Sequence, residues 1–380
     1  MSLDDRTARA WLSATIEPAM PAVAALVAHV GAPDAVRALS SGRSVPGLRP
    51  VHDADPGATG RAVLAAAGAT GMRLVCPGEP EWPTALDDLA SAGDLHRRGG
   101  VPYALWVRGE RDLAALTKQA VAVVGARAST SYGDDVAGDL GAGLGDAGVS
   151  VVSGAAYGID AAAHRGVLAV GGGTVAVLAC GADVVYPRGH EGLLAWCTAN
   201  GLVVSEAAPG AAPTKIRFLA RNRLIAGLAR AVVVVEASWR SGSLTTLKWG
   251  ELLSRACLGV PGPVTSDASA GVHLALREHR AELVTNAAEV RDALAPLGAA
   301  PVVGVGAVGL GRTRATDRLD PRELEVLEAL PAGAAGLTAE QLSARTRLPM
   351  TAMQRCLASL AERSLAESGP QGWRLAPQRA

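Results

Sequence analysis

Four short clusters in this 380-residue chain combine residue types suited to holding an anion or moving a proton. Gly125-Ala126-Arg127 puts a tight turn and a guanidinium ahead of a helix beginning near Tyr132-Gly133. Backbone amides at such a start favour anionic oxygen, and arginine adds a charge with bidentate geometry for phosphate. Ser241-Gly242-Ser243, beside Arg240 and Lys248, offers two hydroxyls and close backbone approach. Arg221-Asn222-Arg223 reads as the start of an apolar helix continuing Leu224-Ile225-Ala226-Gly227-Leu228. The helix dipole disfavours cations there, so an anionic partner or solvent is required. Asp160 and His164 lie four apart on one helix face, the spacing of an acid–base pair. Asp160 also follows Gly158-Ile159, where a carboxylate caps a helix and His164 packs against it or holds it. Plainer readings stand beside the other three: a turn with a surface arginine, ordinary helix-capping serines, and solvated arginines. The turn after Gly125 lacks GxGxxG and a Walker lysine, and no nucleophile accompanies the acids. We therefore expect no catalytic residue, no metal and no cofactor.

These clusters need a scaffold that brings them together, and the surrounding pattern supplies one. Apolar runs at Val121–Val124, Val149–Val152, Thr174–Leu178, Leu202–Val204, Ala231–Val235 and Cys257–Val260 are separated by stretches long enough for a crossover helix. Short strands apolar on both faces fit a parallel sheet covered on both sides. Each cluster falls just after one of these strands, or on the helix that follows, and so does each of Glu206 and Glu236, which are expected to end neighbouring strands. In a doubly wound sheet the carboxyl ends share one edge, and ligands bind in the crevice there.

The length exceeds what one core usually serves, so two or three domains are expected. No apolar run approaches the roughly 20 residues needed to span a bilayer, and the polar start Asp4-Asp5-Arg6 is not a signal peptide. A soluble, cytoplasmic protein with no membrane partner follows. Cys76, Cys180, Cys197, Cys257 and Cys356 have no metal or redox spacing and read as buried free thiols. Formal net charge is zero, which argues against bulk attraction to nucleic acid, yet Thr214 to Arg255 holds eight basic and two acidic residues.

The flanks read differently from the centre. Residues 1–73 form a helical (SAM-like) module with short helices at Thr7–Thr15, Pro21–Val30, Pro33–Leu39 and Gly60–Ala67, either touching DNA or a partner or packing on the main domain. Residues 74–296 form the core, with Leu74 to Lys118 adding an edge strand or two and a helix near Ala287–Leu294 closing it. Residues 297–316, within a Gly-, Ala-, Val- and Pro-rich stretch from Pro296 to Thr316, read as a linker. Residues 317–380 read as a winged helix: Asp320-Pro321 caps a first helix, Thr338 a second, Thr351–Arg363 is a third, and Leu365–Glu367 with Trp373–Leu375 makes a wing. With eight basic and eight acidic residues from Asp317 onward, this segment reads DNA weakly or serves protein contacts.

The run VAVVGARASTSYG from Val121, SGAAYGIDAAAHRG from Ser153, Tyr186-Pro187, Ser205-Glu206 with Pro209-Gly210, FLARNRLIAGLARAVVVVEASWRSGSLTT from Phe218, and Val260-Pro261-Gly262 resemble the DNA-processing protein A (DprA or Smf) family. The resemblance covers roughly Trp82 to Val284. It implies an extended Rossmann-like α/β fold, a doubly wound and mainly parallel sheet, between a helical module and a winged helix. It further implies binding of single-stranded DNA, a homodimer, and loading of the RecA recombinase in natural transformation, with no shared catalytic turnover. Carried over by motif, the DNA-facing set is Arg127, Ser153, Gly154, Arg221, Asn222, Arg223, Ser241, Gly242, Ser243 and Lys248, with Asp160 and His164 in the signature helix. Tyr157 stands where the family usually has arginine, losing a charge but offering a ring for base stacking of about 1 to 3 kcal/mol. His190 and His273 replace usual asparagines, and Leu219 a usual proline. With Tyr157, Phe218, Trp239 and Trp249 as the available aromatics, phosphate contacts are expected to outweigh stacking.

Two other functions fit parts of the pattern. A Rossmann-like nucleotide hydrolase or transferase would use Glu206, Glu236 or Asp160 and bind a mononucleotide. A ligand-sensing regulator would read duplex DNA through the winged helix.

Overall fold

Valine- and alanine-rich runs that end in glycine or a polar turn become the strands of one sheet, because both of their faces can be covered by helices. The computed structural model describes residues 3–295, 319–331 and 336–376. Among them, nine strands make a mixed sheet, and two more form a small ladder, β2 (Asp94–Leu95) with β3 (Arg98–Gly99). The nine are β1 (Met72–Val75), β4 (Leu105–Arg108), β5 (Ala120–Val124), β6 (Ser150–Ser153), β7 (Thr174–Leu178), β8 (Leu202–Ser205), β9 (Ala231–Val234), β10 (Ala256–Gly259) and β11 (Glu282–Leu283). Their spatial order is β1-β4-β8-β7-β6-β5-β9-β10-β11. Only the β1–β4 and β4–β8 pairs are antiparallel, so the six expected strands form a parallel centre and residues 74–118 contribute to one edge. Strand β1 begins at Met72, two residues inside the segment read as the helical module.

Alternation along each strand sends residues to two separate cores. Val121, Val123, Ala176 and Leu178 join one core with α6 (Ser131–Asp146), α7 (Ile159–Ala169), α8 (Glu191–Asn200) and α12 (Ala287–Asp292). Ala120, Ala122, Val175 and Val177 join the other with α5 (Leu113–Thr117), α9 (Lys215–Gly227), α10 (Ser243–Leu252) and α11 (Ala270–Arg277). The sheet is thus wound on both faces, as a Rossmann-like α/β fold requires.

The amino-terminal helices are α1 (Asp5–Thr15), α2 (Pro21–Val30), α3 (Ala32–Ser40) and α4 (Pro56–Ala69). Asp4 and Asp55 cap α1 and α4 by accepting from the Thr7 and Ala58 amides, and proline opens α2, α3 and α4. Trp11, Leu12 and Leu39 form a core that includes Tyr103 from the segment before β4. The Trp106 indole in β4 donates to Ser13 Oγ at 3.1 Å, and Arg9 donates to the Tyr103 carbonyl at 2.7 Å. Packing on the sheet domain, one of the two readings of this segment, is what these contacts show.

The described residues 319–331 and 336–376 belong to a separate compact unit. Its helices α13 (Pro321–Ala329) and α14 (Ala339–Thr346) begin in capping boxes, Asp320 with Glu323 and Thr338 with Gln341. Helix α15 (Met350–Glu362) packs on both, and β12 (Ala366–Gly369) pairs antiparallel with β13 (Gly372–Leu375). This is the three-helix-plus-wing arrangement. The expected linker, residues 297–316, lies outside the described residues. Cys76, Cys180, Cys197 and Cys356 are buried free thiols, Cys257 is half-buried, and no described helix is long and apolar enough to cross a membrane.

Candidate functional site

The chain moves from β5 through β6 and β7 to β8 on one side, then returns to β9 on the other side of β5 and continues to β10 and β11. The strand order therefore reverses between β5 and β9, and the loops after these strands splay apart at their carboxyl ends. A cleft of about 770 Å³ opens there. Gly125, Ala126 and Arg127 line it from the β5 side, Ser238, Ser241, Gly242 and Ser243 from the β9 side, and Lys215, Phe218, Arg221 and Asn222 from α9.

The loops are tied to one another. Ala126 N donates to the Glu236 carbonyl at 2.7 Å, and Ile159 N to the Ala126 carbonyl at 3.2 Å. Gly158 has φ near +77°, and a Cβ there would strike the Ala126 carbonyl, so only glycine fits the entry to α7. The amides opening α6 are partly taken from within: Glu236 accepts from Thr130 N at 2.9 Å and from Thr130 Oγ1 at 2.5 Å. That buried carboxylate already neutralises the helix start, so positive charge in the cleft comes from side chains more than from the dipole.

Arg127 is exposed, its guanidinium stacked 4.7 Å over the Phe218 ring. Arg221 is buried; its Nη1 donates to the Val177 carbonyl at 2.8 Å, and its Nε has no partner. A Cβ on Gly154 would land on the Arg221 guanidinium, which explains glycine at that position. Asp160 is also buried and accepts from Gly154 N at 3.1 Å and Ala156 N at 3.4 Å. Burial raises its carboxyl above the usual range while the Arg221 charge opposes the rise, and burial lowers Arg221 while Asp160 opposes that. Asn222 Nδ2 donates to the Gly242 carbonyl at 3.3 Å, and the Ser241 and Ser243 hydroxyls lie 2.7 Å apart.

The structure does not bring the whole expected set to the cleft. Arg221 and Arg223 lie in the middle of α9, not at its start, because the helix already begins at Lys215 under the Thr214 cap. Arg223 is fully buried and paired with Glu206 at 2.7 Å. Ser153 is buried with its hydroxyl donating to the Val123 carbonyl at 2.6 Å. His164 is buried in α7, Nδ1 against Thr174 Oγ1 at 2.7 Å at the start of β7, and burial pushes it down to about 3. Lys248 lies outside the cleft lining and pairs with Glu251 at 2.6 Å. Glu206 and Glu236 do not end neighbouring strands: β7, β6 and β5 separate β8 from β9. Trp249 is buried in a core and is no surface ring.

The basic stretch from Thr214 to Arg255 is accordingly less charged in space than in sequence. Arg217 pairs with Glu17, Arg223 with Glu206, Lys248 with Glu251 and Arg255 with Asp88. Lys215 and Arg240 carry no ion pair among the described residues, and Lys215 and Arg127 stand exposed on the cleft. Sequence reasoning passed over two supports. His190 Nδ1 lies 2.9 Å from the carbonyl of Ala155, a residue held at positive φ, and His273 Nε2 lies 3.1 Å from the Gly262 carbonyl. Each histidine thus contacts a backbone carbonyl.

A profile of the DNA recombination-mediator protein A family matches residues 73–295. A relative from Mycobacterium tuberculosis (strain ATCC 25618 / H37Rv), described as a DNA processing protein DprA, is 43% identical over 98% of this chain and 95% of its own length. The DNA processing protein DprA of Streptococcus pneumoniae (strain ATCC BAA-255 / R6) is 41% identical over 52% of this chain and 68% of its own. The solved structure of the Streptococcus pneumoniae protein superposes with a TM-score of 0.59 at 28% identity, over 77% of this chain and 98% of that one. A structure of DNA processing protein A from Helicobacter pylori, concerned with the single-stranded DNA binding mode of that protein, gives a TM-score of 0.50 at 25% identity, over 59% of this chain and 97% of that one.

Proposed function

This chain belongs to the DNA recombination-mediator protein A family, and from that premise we propose that the cleft beyond β5 and β9 holds the phosphates of single-stranded DNA. The protein then protects incoming DNA and loads the RecA recombinase onto it in natural transformation and homologous recombination. One observation carries this reading: an open cleft at the switch point of the sheet, with Arg127, Lys215 and Arg221 on its walls and the small residues Ser241, Gly242 and Ser243 opposite. Cationic side chains tracking a backbone bind without much sequence preference. A dinucleotide would call for a glycine-rich turn offering free helix-start amides, whereas here Glu236 occupies that position.

The DNA-facing set on this reading is Arg127, Lys215, Phe218, Arg221, Asn222, Ser241, Gly242 and Ser243. Gly154 and Asp160 position Arg221, while Ser153, His164, Arg223 and Lys248 leave the contact set. Asp160 is a positioning acid, so binding without turnover is the activity we assign. The protein acts in the cytoplasm as a homodimer, in which two clefts raise the avidity for one strand.

Fluorescence anisotropy of a labelled single-stranded oligonucleotide across a salt series, competed with duplex and with mononucleotides, tests the binding. Salt-sensitive binding that neither competitor displaces supports it; displacement by a mononucleotide points to an enzyme, and by duplex to a regulator. Recombinase loading is tested by RecA filament assembly on oligonucleotide with and without the protein.

A further inference from the structure

Aromatic residues are scarce here: four tyrosines, one phenylalanine and seven tryptophans in 380 residues. Three of the four tyrosines are nevertheless exposed, Tyr132 at 40%, Tyr157 at 50% and Tyr186 at 38%, and Trp239 is 60% exposed. All four lie in the segments that follow parallel strands at the carboxyl edge: Tyr132 after β5, Tyr157 after β6, Tyr186 after β7 and Trp239 after β9. Single exposed rings need no explanation, but four gathered along the one edge that carries the cleft do.

The tyrosines are fixed in place. Tyr132 donates its hydroxyl to the Pro261 carbonyl at 2.5 Å, which seats it on the β10 side. The Tyr157 ring meets the His190 ring edge-on, centroids 4.6 Å apart, and His190 is itself held to Ala155. Tyr186 tilts against Phe218 at 5.7 Å. Trp239 sits in a turn closed by Ser241 N donating to the Ser238 carbonyl at 3.0 Å, and both of those serines line the cleft. Rings immobilised before binding lose little entropy when a flat ligand settles on them.

We propose that these rings are base platforms on both flanks of the phosphate cleft, Tyr132 and Trp239 on the β9–β10 side, Tyr157 and Tyr186 on the β6–β7 side. A strand whose phosphates occupy the cleft stacks bases on each flank, so the footprint extends beyond the cleft and stacking contributes alongside charge. This rests on the single-stranded DNA reading above and enlarges it.

The test compares two labelled probes of about 20 nucleotides, longer than a site of roughly 4 to 16: oligothymidylate and an abasic deoxyribose-phosphate polymer of equal length. The wild-type protein binds oligothymidylate more tightly than the abasic polymer. Tyr157→Ala and Trp239→Ala each weaken oligothymidylate binding about 5- to 150-fold, the loss of one stacked base. Both leave abasic binding and the salt slope unchanged, and Tyr157→Phe and Trp239→Phe restore affinity. Equal wild-type affinity for the two probes, or ring variants that weaken both probes alike or neither, would overturn the platforms while salt-sensitive DNA binding stood. Failure of the wild type to bind either probe would remove both the platforms and the function they rest on. Unchanged urea midpoints in the variants show that folding is intact.

Discussion

Arg221 and Arg223 are two residues apart on α9, and they end in opposite regions of the molecule. Arg221 lies against Gly154 and lines the cleft, while Arg223 is sealed in the interior against Glu206, in a cluster whose Tyr103 hydroxyl, Glu206 Oε2 and Arg223 Nη1 have no partner. Burial and the Glu206 charge raise the Tyr103 phenol well above its ordinary value. Two residues along a helix turn through about 200°, so alternate positions cannot share a face. One arginine can serve a ligand; the other anchors the helix that presents it. A basic run in a sequence is thus not a basic surface.

The sharpest way to break this comparison is on the buried side. Glu206→Ala leaves Arg223 charged and uncompensated, and we predict a loss of about 3 to 5 kcal/mol in urea unfolding. Replacing both partners together with apolar residues of similar size should recover most of it. A Glu206→Ala protein as stable as the parent would mean that the pair anchors nothing.

Gly154→Ala tests the cleft side through its support. The added methyl meets the Arg221 guanidinium, so stability should fall by about 1 to 3 kcal/mol and single-stranded DNA affinity should fall with it. Unfolding curves and anisotropy on the same preparation check this, and retained affinity would show that Arg221 need not sit where it does.

Acidification probes the buried face of α7. His164 is pushed down from 6.5 to about 3, mainly by burial, with the His190 and Arg221 charges adding to it. Between those values the unfolded chain binds a proton that the folded chain refuses, so stability is complete above about pH 6.5 and falls as pH drops. The slope should reach at most about 1.4 kcal/mol per pH unit. Asp160, whose carboxyl is raised, acts in the opposite sense and blunts the slope at the acid end. Urea midpoints of wild type and His164→Gln at pH 7 and pH 5 should diverge, the variant being flatter; parallel profiles would refute the assignment.

Arg127→Ala should change stability by less than about 0.5 kcal/mol yet flatten the salt dependence of oligonucleotide binding by about 0.7, one phosphate contact. The smallest effect should come from Lys248→Ala. Its exposed pair with Glu251 is worth about 0 to 1 kcal/mol, and DNA affinity should not move. A Lys248 variant with a changed salt slope would return that residue to the interface.

Much of the architecture was legible because it is locally encoded. The six central strands are continuous apolar runs stopped by glycine or a polar turn, and the helix starts at Thr338 and Asp320 are capping residues bound to amides within three positions. The motif order led to the right family. What was misread depends on which strand lies beside which. Glu206 and Glu236 follow strands consecutive among those recognised in the sequence but separated by three others in space, and the ion pairs that quench the basic stretch reach to Glu17, Asp88 and Glu206. Trp249 could not be told from Trp239 by type; α10 turns one into a core, and a loop leaves the other in water.

From its sequence alone this protein has a parallel α/β sheet, a carboxyl edge carrying its candidate anion-binding residues, a helical leader and a winged-helix segment, since short-range patterning and turn chemistry specify each of these. Tertiary structure alone decided which charges meet solvent. That outcome depends on burial and on partners distant in the chain, which placed Arg127 and Lys215 on the open cleft and closed Arg223 inside with Glu206.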